Sequence, residues 1–157
     1  MYCYPTFIKM RDTDAAQVVF FAHYYAIAHE AYESAFAHYH SPLSSWINHQ
    51  VHIPIIHSQA HHRAPLHLAD PVTVCVFIHR IGTKSFTLHY ELYKEHFQQQ
   101  PTTQAVTALQ TVHVTVENKS SVALPSSLIE VLQKIKTHHP SQCMPQLSHV
   151  FTSATRT

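Results

Sequence analysis

The stretch Arg11-Asp-Thr-Asp-Ala-Ala-Gln-Val-Val-Phe-Phe-Ala-His-Tyr24 decides how this chain is read, because it sets two carboxylates directly ahead of the one long helix the sequence predicts. From Phe20 to about Tyr39 the apolar positions Phe20, Tyr24, Ile27, Ala28, Ala31 and Ala35 fall at helical spacing, and Tyr32 and Phe36 widen the stripe. A helix apolar over so much of its circumference is expected to be buried on most sides. At 1.5 Å per residue it reaches roughly 30 Å, enough to cross a small sheet. Ser41-Pro42 is expected to end it. Its start carries no obvious cap: Gln17-Val-Val stands where Ser, Thr, Asp or Asn is usual.

Outward from this helix the pattern changes to strands. Tyr2–Arg11 reads as a first strand, and Val51–Arg63 as an extended segment with Pro54 marking an edge or bulge. Val72, Val74, Val76 and Ile78 alternate with Thr73, Cys75, Phe77 and His79. Gly82, the only glycine, sits at the turn before a return strand carrying Phe86, Leu88, Tyr90 and Leu92. A polar loop is expected over 94–103. A last strand is expected over Ala105–Glu117, with Val106, Ala108, Val112, Val114 and Val116 on its core face. Pro125 opens a short helix near Ser126–Lys136 with the stripe Leu128, Ile129, Leu132 and Ile135. This order predicts an α+β domain over 1–139, an antiparallel sheet with one long helix laid across it, followed by a loosely structured tail over 140–157.

Composition narrows the function. The chain has 157 residues, 45% of them hydrophobic, which is enough for a real core. Charged residues are only 12%, about half the usual ~25%, and seventeen histidines fill part of the gap. A net charge of +1 with histidine neutral gives no electrostatic case for a nucleic-acid partner. Cys3, Cys75 and Cys143 are odd in number and lack CxxC spacing, which argues against a disulfide framework and for a reducing compartment. The apolar run Val18–Ala28 is interrupted by His23 and falls short of the ~20 residues of a membrane span. With no leader pattern at the start, a cytoplasmic protein without a membrane partner is the expectation. No HExxH or Cys/His spacing of a zinc site occurs, so no metal is expected despite the histidines.

The chemistry is carried by the opening stretch. A helix start leaves about four backbone N–H groups without intrahelical partners and carries the positive end of the helix dipole. A carbonyl oxygen placed at Phe20–Ala22 would be polarised there, with the Asp14 carboxylate a few residues away, a pairing suited to acyl transfer. The same residues also read as ordinary loop chemistry, with Asx turns and favourable charge near the dipole.

The stretch resembles the active-site signature of hot-dog-fold acyl-CoA thioesterases of the 4-hydroxybenzoyl-CoA thioesterase type, in which an Asp-x-Asp element precedes Ala-Gly-Val-Val, two aromatics and a helix. His29-Glu-Ala-Tyr-Glu33 is especially similar to the branch that hydrolyses 1,4-dihydroxy-2-naphthoyl-CoA. Ile53-Pro-Ile-Ile-His57, Arg63-Ala-Pro-Leu, Ala69-Asp-Pro-Val, Lys84-Ser-Phe86, Val112-His-Val and Ala123-Leu-Pro125 resemble further family elements in the same order. The likeness spans about residues 4–135. Two departures stand out: the family's loop glycine is Gln17 here, and the glycine before the bend aspartate is Ala69.

The resemblance implies a hot-dog fold, with an antiparallel sheet wrapped around one long central helix and a short C-terminal helix. It implies hydrolysis of a thioester, an aromatic acyl group being favoured by the helix match. Asp14 takes the place of the catalytic carboxylate, as nucleophile or general base, and the backbone N–H of Phe21 that of the thioester-polarising amide. Phe20 and Tyr24 are candidates for the acyl pocket, Gln17 for a residue intruding on it, and His57 for a pocket or core histidine. Arg63, Arg80 and Lys84 are candidates for meeting the phosphates of coenzyme A. The implied partners are an acyl-CoA substrate and a second copy of the chain, as homodimer or homotetramer. No cofactor is implied beyond the coenzyme A of the substrate. A short- or medium-chain aliphatic acyl-CoA, or binding without turnover, are the alternatives.

Overall fold

In the computed structural model, residues 1–41, 43–48, 51–94 and 105–137 are described. In chain order they form β1 (Tyr2–Phe7), a single 3₁₀ turn (Met10–Asp12), α1 (His23–His38), α2 (Leu43–Asn48), β2 (Ile55–His62), β3 (Pro71–Ile81), β4 (Ser85–Lys94), β5 (Thr107–Val114), β6 (Val116–Glu117), β7 (Ser120–Ser121) and α3 (Ser126–Thr137). The expected tail over 140–157 and most of the expected polar loop over 94–103 lie outside the described residues. No helix among those described is long and apolar enough to cross a membrane.

Five strands make one antiparallel sheet in the order β1-β3-β4-β5-β2. The alternation read in the sequence sorts their two faces. Val72, Val74, Val76 and Ile78 on β3, with Phe86, Leu88, Tyr90 and Leu92 on β4, turn inward onto α1, and nearly all are fully buried. Helix α1 buries Tyr24, Ile27, Ala28, Ala31, Tyr32, Ala35 and Phe36. The small residues Ala28, Ala31 and Ala35 let it lie close to the sheet, while Tyr32 and Phe36 meet edge to face at 4.7 Å. Truncating Phe36, which is wholly buried, would cost about 3–5 kcal/mol by opening a cavity here. Helix α3 starts where Pro125 predicts and adds Leu128, Val131, Leu132 and Ile135 to the same core.

Four expectations are corrected. The first strand ends at Phe7 rather than Arg11, because Asp12 folds back to accept the Lys9 amide at 2.8 Å and winds residues 10–12 into the 3₁₀ turn. Helix α1 begins at His23 rather than Phe20. The Phe20 amide donates instead to the Asp12 carbonyl at 2.9 Å, which holds Phe20 outside the helix. The second extended segment is regular only from Ile55, with a bulge between Ile55 and His57.

The fourth correction concerns β5, which shows the helix its other face. Register pairs His113 with Phe86, Thr111 with Leu88, Leu109 with Tyr90 and Thr107 with Leu92, so the inward row is Thr107, Leu109, Thr111 and His113. Ala108, Val112 and Val114 take the outer face. The pairing with β4 overrides the local apolar pattern, because a one-residue slip would turn every side chain over.

Candidate functional site

The loop that precedes α1 is a tight hairpin. Thr13 and Val19 bridge it, the Asp14 amide donates to the Val18 carbonyl, and the Gln17 amide donates to the Asp14 carbonyl, both at 2.9 Å. A three-residue hairpin loop of this kind closes on a residue in the left-handed region, usually glycine. Gln17 fills that position with φ 63°. Ala69, at the bend between β2 and β3, takes φ 66°. Both departures from the family pattern thus keep the backbone that glycine would favour, at a cost of about 1–2 kcal/mol each.

Asp12 and Asp14 have different surroundings. Asp12 is buried and ties the loop together through Lys9 and Phe20. Asp14 is exposed; one carboxylate oxygen accepts the Ala16 amide at 2.8 Å in an Asx turn.

The start of α1 is bare. Its N-cap is Ala22, with no side-chain cap and no acid in the first turn. The His23 amide bonds the Phe20 carbonyl at 2.8 Å, whereas among the described residues the Phe21 and Ala22 amides have no hydrogen-bond partner. Phe21 lies beside an open groove of about 310 Å³ together with Val18, Tyr24, His62, Arg63 and Pro65. The Tyr24 and His62 rings pack together at 4.5 Å, tilted by 49°. Burial pushes the Tyr24 hydroxyl up from its ordinary value. Burial, then the neighbouring His61, pushes His62 down, so both groups are neutral near pH 7. At the nearby bend Asp70 is held by its partners: burial alone would raise its carboxyl, but Lys94 at 2.7 Å and the His67 amide at 2.8 Å hold it lower.

The structure therefore gathers Phe21, Tyr24 and Arg63 at one groove, with the Asp14 loop adjoining it through Val18. Asp14, Gln17 and the ring of Phe20 are exposed on that loop and do not line the groove. Arg63 extends Nη1 to the Ala105 carbonyl at 3.2 Å. The remaining candidates lie elsewhere on this chain. His57 is exposed midway along β2. Arg80, near the end of β3, and Lys84, in the turn that follows, stand about 20 Å farther along the sheet than Val74, the β3 residue level with His62. Lys84 there donates to the Ser121 carbonyl at 3.0 Å.

Sequence reasoning missed His62 as a groove residue. Its position at the end of β2, directly before Arg63-Ala-Pro-Leu, was the available signal. It also missed a second, smaller cavity of about 170 Å³ farther along α1, among His29, Tyr32, Leu43, Ile53 and His113. His113 is almost fully buried, stacked on Phe86 at 4.7 Å and hydrogen-bonded to Thr111 at 2.9 Å. Burial, then nearby His29, lowers it to about 4, against a weaker pull from the Ile53 backbone. Among the described residues no cluster of His, Cys, Asp or Glu is arranged to hold a metal ion.

Residues 8–133 match the family described as the thioesterase-like superfamily. The chain is similar to a 1,4-dihydroxy-2-naphthoyl-CoA hydrolase from Synechococcus elongatus, at 32% identity over 136 residues that cover 84% of this chain and 95% of the relative. Among solved structures, a 1,4-dihydroxy-2-naphthoyl-CoA thioesterase from Synechocystis superposes with a TM-score of 0.77 at 26% identity, covering 88% of this chain and 98% of that one. A gentisyl-coenzyme A thioesterase superposes with a TM-score of 0.72, also at 26% identity, covering 83% and 98%.

Proposed function

Because this chain belongs to the thioesterase-like superfamily and has its hot-dog fold, we propose that it hydrolyses an aromatic acyl-CoA thioester, converting acyl-CoA and water to a carboxylic acid and coenzyme A. The observation that carries the reading is the bare start of α1, where the Phe21 and Ala22 amides lack partners and Phe21 borders the groove. In this reading the thioester oxygen accepts the Phe21 N–H at the positive end of the helix dipole. That hydrogen bond strengthens as negative charge develops on the oxygen, and a donor of this kind is typically worth about 10²–10³ in turnover. Asp14 supplies the carboxylate. Either it attacks the carbonyl carbon and expels the thiolate of coenzyme A, leaving an anhydride that water opens, or it takes the proton of the attacking water. A thioester is already an activated acyl group, so the route uses no metal.

Three features support an aromatic acyl group: the tilted ring pair of Tyr24 and His62, the exposed ring of Phe21, and relatives named for hydroxylated aromatic thioesters. Arg63 is the cation assigned to the phosphates of coenzyme A. A homodimer, itself able to pair into a tetramer, is part of the proposal. Strand β2 ends the sheet with nearly every residue exposed, including Ile55 and Ile56, and an open apolar edge of this kind is a template for pairing with a second copy.

The test is release of coenzyme A, read with a thiol-reactive dye, across hydroxylated aromatic and short- and medium-chain aliphatic acyl-CoAs. Fastest turnover is expected on the aromatic set. Preference for the aliphatic set would overturn the acyl assignment, and tight binding without release would overturn the enzyme.

A further inference from the structure

The outer face of the sheet, turned away from α1, carries a feature the proposed hydrolysis does not use. Cys3 on β1 and Cys75 on β3 are register partners, directly opposed across an antiparallel pair. Opposed residues on such strands have Cα atoms about 4.5–5.5 Å apart, within the roughly 4.4–6.8 Å that a disulfide spans. The two Sγ atoms already meet at 3.0 Å. They sit in a small cluster with Met1, Phe77, Tyr93 and Ala105, separate from the main core. Cys75 is fully buried and Cys3 is half-buried, so a small reagent in solution reaches the pair through Cys3. On the other side of Cys75, its register partner Glu91 accepts the Tyr93 hydroxyl.

We propose that Cys3 and Cys75 are an oxidative modification site, a dithiol that low-molecular-weight disulfides close to a cross-strand disulfide and that excess thiol reopens. The Cys3 thiolate attacks one sulfur of the small disulfide, forming a mixed disulfide and releasing one small thiolate. Cys75 then loses its proton and attacks Cys3 Sγ, expelling the second small thiol. The protein gives up two protons and two electrons, and the reagent takes up both as it leaves as two thiols. The new bond ties the edge strand β1 to β3 and closes a loop holding α1 and β2. It therefore restricts the unfolded chain more than the folded one.

The test uses the full chain carrying Cys143→Ser, so that only the proposed pair remains. After exposure to excess oxidised glutathione at mildly alkaline pH and quenching with iodoacetamide, the intact mass is expected to fall by two hydrogens with no alkylation. Trypsin should yield the peptides Met1–Lys9 and Ala64–Arg80 as one cross-linked species. The melting temperature should rise by several degrees and return with dithiothreitol. With Cys75→Ser added, the same treatment should stop at a glutathione adduct on Cys3. Two alkylated cysteines after oxidation, or a persistent glutathione adduct on Cys3 while Cys75 is present, would overturn the proposal.

Discussion

The two ends of the sheet are built to different standards. At the end that holds the Asp14 loop and the Leu66–Asp70 bend, left-handed backbone is imposed on Gln17 and Ala69, residue types that resist it. Among the described residues the Phe21 and Ala22 amides lack partners there, and the aromatic ring of Phe21 faces solvent. The opposite end is conventional. Its tight β6–β7 hairpin puts left-handed φ on Asn118, which tolerates it, and on Lys119. Its glycine serves close approach instead: a Cβ on Gly82 would come within 3.1 Å of the Ser85 carbonyl. Left-handed backbone is thus common to both ends; what sets the first apart is its unpartnered amides, which lie where a thioester is to be held.

The sharpest way to break this contrast is Asp14→Asn. It should lower kcat about 10²-fold or more with unchanged circular dichroism and melting temperature, since the side chain is exposed and its Ala16 turn survives in asparagine; near-normal turnover would leave the strained end without a catalytic purpose.

The next effect is on stability. Folded His113 titrates at about 4 against 6.5 ordinarily. The unfolded chain therefore binds the proton first, and stability is lost as pH falls from 6.5 toward 4. The loss from this one group is about 3 kcal/mol, to be read from urea unfolding at several pH values. His113→Phe should flatten that slope, and an unchanged slope would shift the assignment to other histidines.

A third comparison separates the ends directly. Arg63→Ala should raise KM for the acyl-CoA about tenfold, the worth of one charge-assisted contact, while Lys84→Ala changes it little. The reverse result would mean that a second copy brings its hairpin end to the site. Smallest of all, Gln17→Gly and Ala69→Gly should each stabilise the fold by up to about 1 kcal/mol, because the relief of left-handed strain exceeds glycine's added chain entropy.

Much of this was legible beforehand. Helix α1, the alternating strands β3 and β4, the turn at Gly82 and the Pro125 start of α3 follow from local pattern, because each is dictated by neighbours within one element. What escaped was set by partners far along the chain. The inward face of β5 depends on its pairing with β4, and a valine-rich row lost to Thr107, Thr111 and His113 for that reason. The true start of α1 depends on the Phe20 amide finding the Asp12 carbonyl. The bare helix start itself was foreseen from the missing cap, although the uncapped residue is Ala22 rather than one of 17–19. The facing of Cys3 on Cys75 was invisible because it needs strand register. Arg80 and Lys84 share with Arg63 a place near the bend and hairpin in the sequence, but one protomer holds them at different levels of the sheet.

Strand β2 has a further consequence for how the molecule is assembled in time. It meets only β5, with Ser58 opposite Thr111, so β3 and β4 are laid down in the chain between the two halves of its one ladder. With solvent on its other side and nearly every residue exposed, unlike the half-buried edge strand β1, it has little to delay its release. Its amides should be the quickest of the five strands to trade hydrogen for deuterium when the protein is dilute, and the most slowed as concentration climbs.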